Sequence, residues 1–159
     1  MASDYLLELE GIKGESVDNK FPGAMEIDSF SWGVSNTGSF ASGTGGGAGK
    51  ASAQDFHFTM RCSKASPDLL NRCTTGKAIS KATLHLRKQG EDGQLEFYTW
   101  EMTDCLISSF QTGGAEGLPH DQCSFNFAKI KISYMDQDNQ NKLKPASMFS
   151  YNFQKNKSE

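Results

Sequence analysis

Apolar residues recur at every second position through most of this chain, the period of a half-buried strand. From Ala24 to Asn36 the alternation puts Phe30, Trp32 and Val34 on one face and Ser29, Ser31, Gly33 and Ser35 on the other. Aromatics on one side and serines on the other describe a strand buried on one face and wet on its reverse. The pattern returns at Gln54–Arg61, where Phe56, Phe58 and Met60 oppose Asp55, His57 and Thr59. It returns again at Ala82–Lys88, with Ala82, Leu84 and Leu86, and at Met148–Phe153, with Phe149, Tyr151 and Phe153 in phase. Leu6 and Leu7 among acids make residues 4–10 a first strand, and Gly11–Gly23 is turn-like. A Gly90–Gly93 turn containing Asp92-Gly93 predicts a hairpin into a partner strand from Gln94 toward Gln111. After Thr112-Gly113-Gly114 and a loop to Gln122, a long strand runs through Tyr134. Its apolar parity changes from Cys123, Phe125 and Phe127 to Ile130, Ile132 and Tyr134. Such a change indicates a bulge, or a strand leaving one sheet for another.

One helix breaks the pattern. Ser66 is the expected N-cap, with Pro67 at the first helical position, Asp68 favourable to the dipole and Gly76 the terminator. Leu69, Leu70 and Cys73 form its short apolar stripe. A helix of this length is not stable alone, so it must cap an end of the β structure. Many strands with one short helix predict a β-barrel or closed sandwich.

With 159 residues the chain is expected to form a single domain over 1–159. Its 11 Phe set it apart from disordered sequences. A net charge of −3 leaves no basic surplus for a phosphate backbone, so nucleic acid is not an expected partner. No apolar run approaches the ~20 residues of a membrane span, and Asp4, Glu8 and Glu10 stand where a signal peptide would be basic and then apolar. The expectation is a protein made in the cytoplasm without membrane insertion, leaving the cell, if at all, by a route that reads the folded state.

Chemistry-bearing groups are sparse. Cys62, Cys73, Cys105 and Cys123 are scattered without a CxxC pair and read as reduced thiols acting as small hydrophobes, so no metal site is expected. His57 and His85 read as wet-face or interface histidines. His120 with Cys123 could be a thiol nucleophile pair only if a third group oriented them, and none is evident. No catalytic residue, no cofactor and no enzyme activity are expected. The tract Gly38–Gly49 followed by Lys50 is not a phosphate loop: Thr44 and Ala51 stand where glycine and a hydroxyl residue are needed, and a β pattern rather than a helix follows. It reads as a long loop that orders on another subunit, or as an exposed hairpin tip.

Taken in order, several segments resemble the haemolysin-coregulated protein (Hcp) family, the tube subunit of bacterial type VI secretion. They are I-K-G-E-S at Ile12–Ser16, E-I-D-S-F-S-W-G-V-S at Glu26–Ser35, G-A-G-K at Gly47–Lys50 and Q-D-F-H-F-T at Gln54–Thr59. S-P-D-L at Ser66–Leu69, T-G-K at Thr75–Lys77, S-S-F-Q-T-G-G at Ser108–Gly114, F-N-F-A-K-I at Phe125–Ile130 and Y-N-F at Tyr151–Phe153 follow. Ala115–Gln122 and Gln137–Ala146 depart from the family pattern and read as variable loops.

The resemblance implies a mainly β chain: a compact β-barrel of two antiparallel sheets, one short flanking α-helix and a long Gly-rich extended loop. It implies hexameric rings stacked into a tube, secreted through the type VI apparatus, with a VgrG-type spike, a contractile sheath and effector proteins in the lumen as partners. Ser29, Ser31 and Ser35 are the expected lumen-facing residues. Phe40, Ser42, Gly43, Thr44, Gly45, Gly46, Gly47, Ala48, Gly49 and Lys50 are the expected inter-subunit loop. No fused C-terminal effector domain is expected after the last strand. The alternative is a phage-tail-tube-like or small-ligand-binding β-barrel outside type VI secretion.

Overall fold

In the computed structural model, which describes residues 3–40, 49–90, 93–137 and 143–159, the alternating segments become strands. In chain order they are β1 (Ser3–Leu9), β2 (Met25–Glu26), β3 (Ser29–Ser31), β4 (Val34–Asn36), β5 (Ala51–Ala53) and β6 (Phe56–Arg61). The helix α1 (Ser66–Thr75) follows, then β7 (Ile79–Gly90), β8 (Gly93–Gly113), β9 (His120–Gln137), β10 (Leu143–Asn152) and β11 (Lys157–Ser158). The large antiparallel sheet runs β11-β10-β9-β8-β7-β1-β2, with β6 joined to β9 and β3 to β6. β4 and β5 form a separate two-stranded ladder.

The large sheet does not close as one uninterrupted ladder. The chain itself spans the gap: Ile27 N–H donates to the Tyr5 carbonyl at 3.1 Å, and Asp28 N–H to the Thr59 carbonyl at 2.7 Å. One short segment is thereby handed from β1 to β6, which bends the sheet around its core. The single strand expected over 24–36 is cut at this handover and again at Gly33. Beyond Gly33 the expected parity fails: Val34 is exposed instead of joining Phe30 and Trp32, because β4 leaves the large sheet and is wet on both faces.

The parity change within β9 is a corner that two strands turn together. β8 and β9 keep one register from Tyr98↔Tyr134 through Ile107↔Phe125. Asp104 on β8 adopts a left-handed φ of 58° between the Thr103↔Lys129 and Cys105↔Phe127 pairs. Burial switches parity there on both strands, from Trp100 and Met102 to Cys105 and Ile107, and from Phe125 to Ile130. The outer neighbour of β9 also changes at this corner, from β6 over residues 120–125 to β10 over 129–137. Neither explanation the sequence left open applies as stated: β9 stays within the one large sheet and in register with β8 at this point, and what changes is the strand paired on its outer side.

Inside the curve the aromatic positions form one lattice. Phe56, Phe58 and Phe125 are fully buried, with the rings of Phe56 and Phe125 stacked at 4.9 Å and Phe30 stacked on Phe56 at 5.9 Å. Trp100 meets Phe56 and Trp32 edge-on at 6.0 Å each. The offset and edge-on geometries add to the burial of large apolar rings.

The helix corrects two expectations. Its N-cap is Ala65, without a side-chain cap, and Ser66 is already helical. The Ser66 hydroxyl instead accepts the Ser63 N–H and donates to the buried Asp121 carboxylate of β9, so this serine anchors the helix to the sheet. Leu69 is buried, whereas Leu70 points to solvent. Gly76 terminates the helix as expected, in the left-handed region at φ 70°. The stretches read as loops also shrink: residues 120–122 belong to β9 and 143–146 to β10, while 138–142 lie outside the described residues. Gly90 pairs with Gly93 across the expected hairpin, whose Asp92 is likewise outside them.

Because Phe125 touches three other aromatic rings in this lattice, Phe125→Ala should lower unfolding free energy by about 3–5 kcal/mol, read from the midpoint of denaturant unfolding.

Candidate functional site

The wet side of β3, β6, β9 and β8 carries a continuous polar surface built by register. Ser29 pairs with Thr59, Thr59 with Gln122 and Gln122 with Gln111. One step along, Ser31 pairs with His57, His57 with Ser124 and Ser124 with Ser109. Hydroxyls join the rows internally: Ser29 and Thr59 share a hydrogen bond at 2.6 Å, and Ser124 bonds Ser108 at 2.8 Å and also Ser109. Ser29, Ser31, His57, Gln111 and Gln122 are exposed. Directly beneath lie Phe56, Phe58 and Phe125, so the surface is a thin polar skin over a rigid aromatic floor.

Of the expected lining residues, Ser29 and Ser31 share this surface. Ser35 does not: it sits on β4, paired with Ser52 in the separate ladder. Thr59, Gln111 and Gln122 complete the rows although only register places them there. Period-two alternation marks Thr59 as a wet-face residue, whereas Gln122 reads as the end of a loop and Gln111 as the end of a strand, and nothing local to the sequence says which strand lies alongside.

The base of the Gly-rich loop is tied by one side chain. Asn36 Oδ1 accepts from the backbone N–H of Gly38 at 2.7 Å and of Gly49 at 3.0 Å, and its Nδ2 donates to the Gly49 carbonyl at 3.1 Å. A Cβ on Gly49 would lie 2.2 Å from the Gly38 nitrogen, so glycine is required for this approach. Phe40 projects from the tied base and is 91% exposed, and Lys50 is exposed beside it. Ser42, Gly43, Thr44, Gly45, Gly46, Gly47 and Ala48 lie outside the described residues. The residues after Lys50 form β5, a strand, so no helix N-terminus is offered to a phosphate.

A second surface escaped the sequence reading. One lateral row crosses the sheet through Leu7↔Leu84, Leu84↔Trp100, Trp100↔Ile132 and Ile132↔Phe149. Leu7 and Leu84 are fully buried, Trp100 nearly so, Ile132 half-buried, and Phe149 is 41% exposed. The apolar core therefore runs out onto β10 and stops there uncovered. Tyr134, at 39% exposure, flanks the end of the row on the same face, and Met148, at 63%, is exposed on the reverse face of β10. Among the described residues, no strand pairs with the outer edge of β10 before Tyr151, where the short β11 begins.

The thiols and histidines fall into plain roles. All four cysteines are free, with Cys105 and Cys123 buried. Burial pushes both thiols up to about 12, the reverse of an activated nucleophile. His120 is exposed on the opposite face of β9 from Cys123, so the two form no pair. His57 is on the wet face as expected, but His85 is not: it is 7% exposed and enclosed by two carboxylates. No group of three or more metal-ligating side chains comes together among the described residues, nor is any helix there long and apolar enough to cross a membrane.

Solved structures share this architecture over its full length. A type six secretion system protein superimposes with a TM-score of 0.92 at 27% identity, covering 99% of this chain and 100% of that one. Hcp1 from Salmonella typhimurium gives 0.82 at 27% identity with 100% of both chains covered. A type VI secretion system effector from Yersinia pestis gives 0.77 at 27% identity, over 94% of this chain and 99% of the other. The fold thus defines a mainly β, one-helix protein of the type VI secretion kind. The sequence profile of the family described as type VI secretion system effector, Hcp, matches residues 6–134. Protein hcp1 of Pseudomonas aeruginosa strain PAO1 is 36% identical over 141 residues, 86% of each chain. This chain belongs to the Hcp family.

With Cys105 and Cys123 held protonated, a maleimide at pH 7.5 should modify neither in the native protein and both after denaturation, as counted by peptide mass spectrometry. Native labelling of Cys123 would contradict the burial described.

Proposed function

We propose that copies of this chain close edge to edge into hydrated rings that stack as the tube of the type VI apparatus. The observation that carries this reading is the unfinished apolar row ending at Phe149 on a strand edge that, among the described residues, no strand pairs before Tyr151. An exposed apolar patch continuous with the core, bordered by a free ladder, is the kind of surface a partner covers. A head-to-tail contact of this kind must join two different surfaces of the subunit, and it builds a ring when the rotation closes. In this reading the β10 edge is one of the two surfaces.

The polar rows through Ser29 and Ser31 line the hole, with Thr59, Gln111 and Gln122 beside them. Hydroxyls and amides keep such a wall wet while offering exchangeable hydrogen bonds to a passing protein. Ser35 goes with the arm formed by β4, β5 and the Gly-rich loop, where Phe40 is the anchor that reaches a neighbouring or stacked subunit. Effectors in the lumen, a VgrG-type spike at the tip and the contractile sheath outside are the partners that accompany this role, and the tube leaves the cell with them. A monomeric small-ligand barrel fits less well, since the fully buried interior is filled by the aromatic lattice.

Light scattering on the native protein should give a mass near a multiple of 17.4 kDa. Phe149→Glu should return it to single subunits with an unchanged circular dichroism spectrum. Native protein that stays monomeric at high concentration, or rings that survive the charge at Phe149, would overturn the reading. For the lining, Ser31→Trp should leave ring mass intact and change effector retention in co-purification; unaltered retention would remove Ser31 from the wall.

A further inference from the structure

His85, which alternation alone assigns to a wet face or an interface, is held by two carboxylates and a stacked aromatic ring. It lies on β7, between β1 and β8, beneath the loop that joins β1 to β2. Its Nε2 is 2.6 Å from Oε1 of Glu8 on β1, and its Nδ1 is 2.6 Å from Oε1 of Glu96 on β8. The Thr99 hydroxyl donates to the same oxygen of Glu96. The Phe21 ring of the loop stacks on the imidazole at 3.9 Å between centroids and 23° between planes.

A neutral imidazole has one N–H and one lone pair, so it satisfies one of these carboxylates and repels the other. Only the imidazolium donates to both. The adjacent cation is permanent: Arg87 pairs with Asp18 of the loop at 2.9 Å and Asp4 of β1 at 3.1 Å, and its guanidinium lies 5.5 Å from the Phe21 centroid. Asp18 Oδ2 in turn accepts the Lys20 and Phe21 N–H groups, which sets the turn that presents Phe21. Farther along the face, Lys81 pairs with Glu101 at 3.2 Å, and Ser80 holds Glu10.

We propose that His85 is an acid-strengthened latch for the loop between β1 and β2. Protonated, it ties β1 to β8 through Glu8 and Glu96 and gives Phe21 a cationic seat. Deprotonated, it leaves one carboxylate facing a lone pair and loosens the seat of the loop, whose tip carries Val17 at 94% exposure. His85 is the group of this cluster that switches near neutrality.

The sign follows from the surroundings. Burial pulls the imidazole down, but the hydrogen bonds and charges of Glu96 and Glu8 together outweigh it and raise it above 6.5. Burial pushes Glu96 up, and the bonds from His85 and Thr99 outweigh it and bring it below 4.5. The latch is therefore fully closed below about pH 6.5, down to the range where carboxylates protonate, and opens as pH rises through the raised histidine value.

Deuterium uptake at the histidine C2 position, followed by mass spectrometry on the native protein, reads each histidine separately in any assembly state. His85 should titrate above 6.5, and Glu8→Gln should lower its midpoint by about 1 pH unit. Backbone amide exchange in residues 12–23, corrected for the intrinsic pH dependence, should accelerate through the same midpoint while residues 100–107 stay unchanged. In His85→Gln that acceleration should be absent. A His85 midpoint at or below 6.5, a midpoint insensitive to Glu8→Gln, or pH-independent protection of 12–23 would each overturn the latch. None of these readouts depends on ring formation, so the latch and the assembly reading fail separately.

Discussion

The antiparallel ladder between β8 and β9 is the constraint on which the rest of the molecule depends. It runs from Tyr98↔Tyr134 to Gly113↔His120, keeps its register through the corner at Asp104 and shifts by one residue only between Ile107 and Ser109. Because both strands exchange faces at the same place, one long hairpin builds two differently oriented walls around one core. β7 and then β1 follow on one side, and β6 and β10 divide the other side at the corner. A backbone hydrogen bond contributes only modestly net of water, but an unpaired buried one is costly. Any slip of this ladder would expose the aromatic floor and bury the polar rows at once.

Two surfaces of opposite chemistry follow from that arrangement. Where β3, β6, β9 and β8 lie side by side, the outward positions are hydroxyls, amides and the imidazole of His57. Where β8, β9 and β10 lie side by side, an apolar row leaves the core and ends in solvent at Phe149. The same chain thus presents a hydrated polar wall and an apolar strand edge left open to solvent. The buried thiols Cys105 and Cys123 serve the packing between these walls, since burial holds them protonated.

Strand locations, the helix and the wet face of β6 were legible in the sequence because period-two alternation and turn residues are local signals. So was the terminator Gly76, whose left-handed φ is a demand on a single residue. The failures have one source. Ser66 looked like a cap because serine favours that role, but a buried carboxylate on a strand 55 residues away captured its hydroxyl. Val34 looked buried because the alternation continues past Gly33, while the chain had already left the large sheet. His85 looked like a surface histidine because the sequence cannot show that Glu8 and Glu96 converge on it from two other strands.

The sequence by itself determined where most strands lie, which faces of β6 and β7 are apolar, and the family to which the chain belongs, since each of these is carried by residue types at short or ordered spacing. Only the tertiary structure decided which strands are neighbours. That choice set the polar rows, left the Phe149 end of the apolar row uncovered and brought the carboxylates to His85. Lateral pairing is fixed by long-range burial and loop closure, and no stretch of sequence carries its register alone.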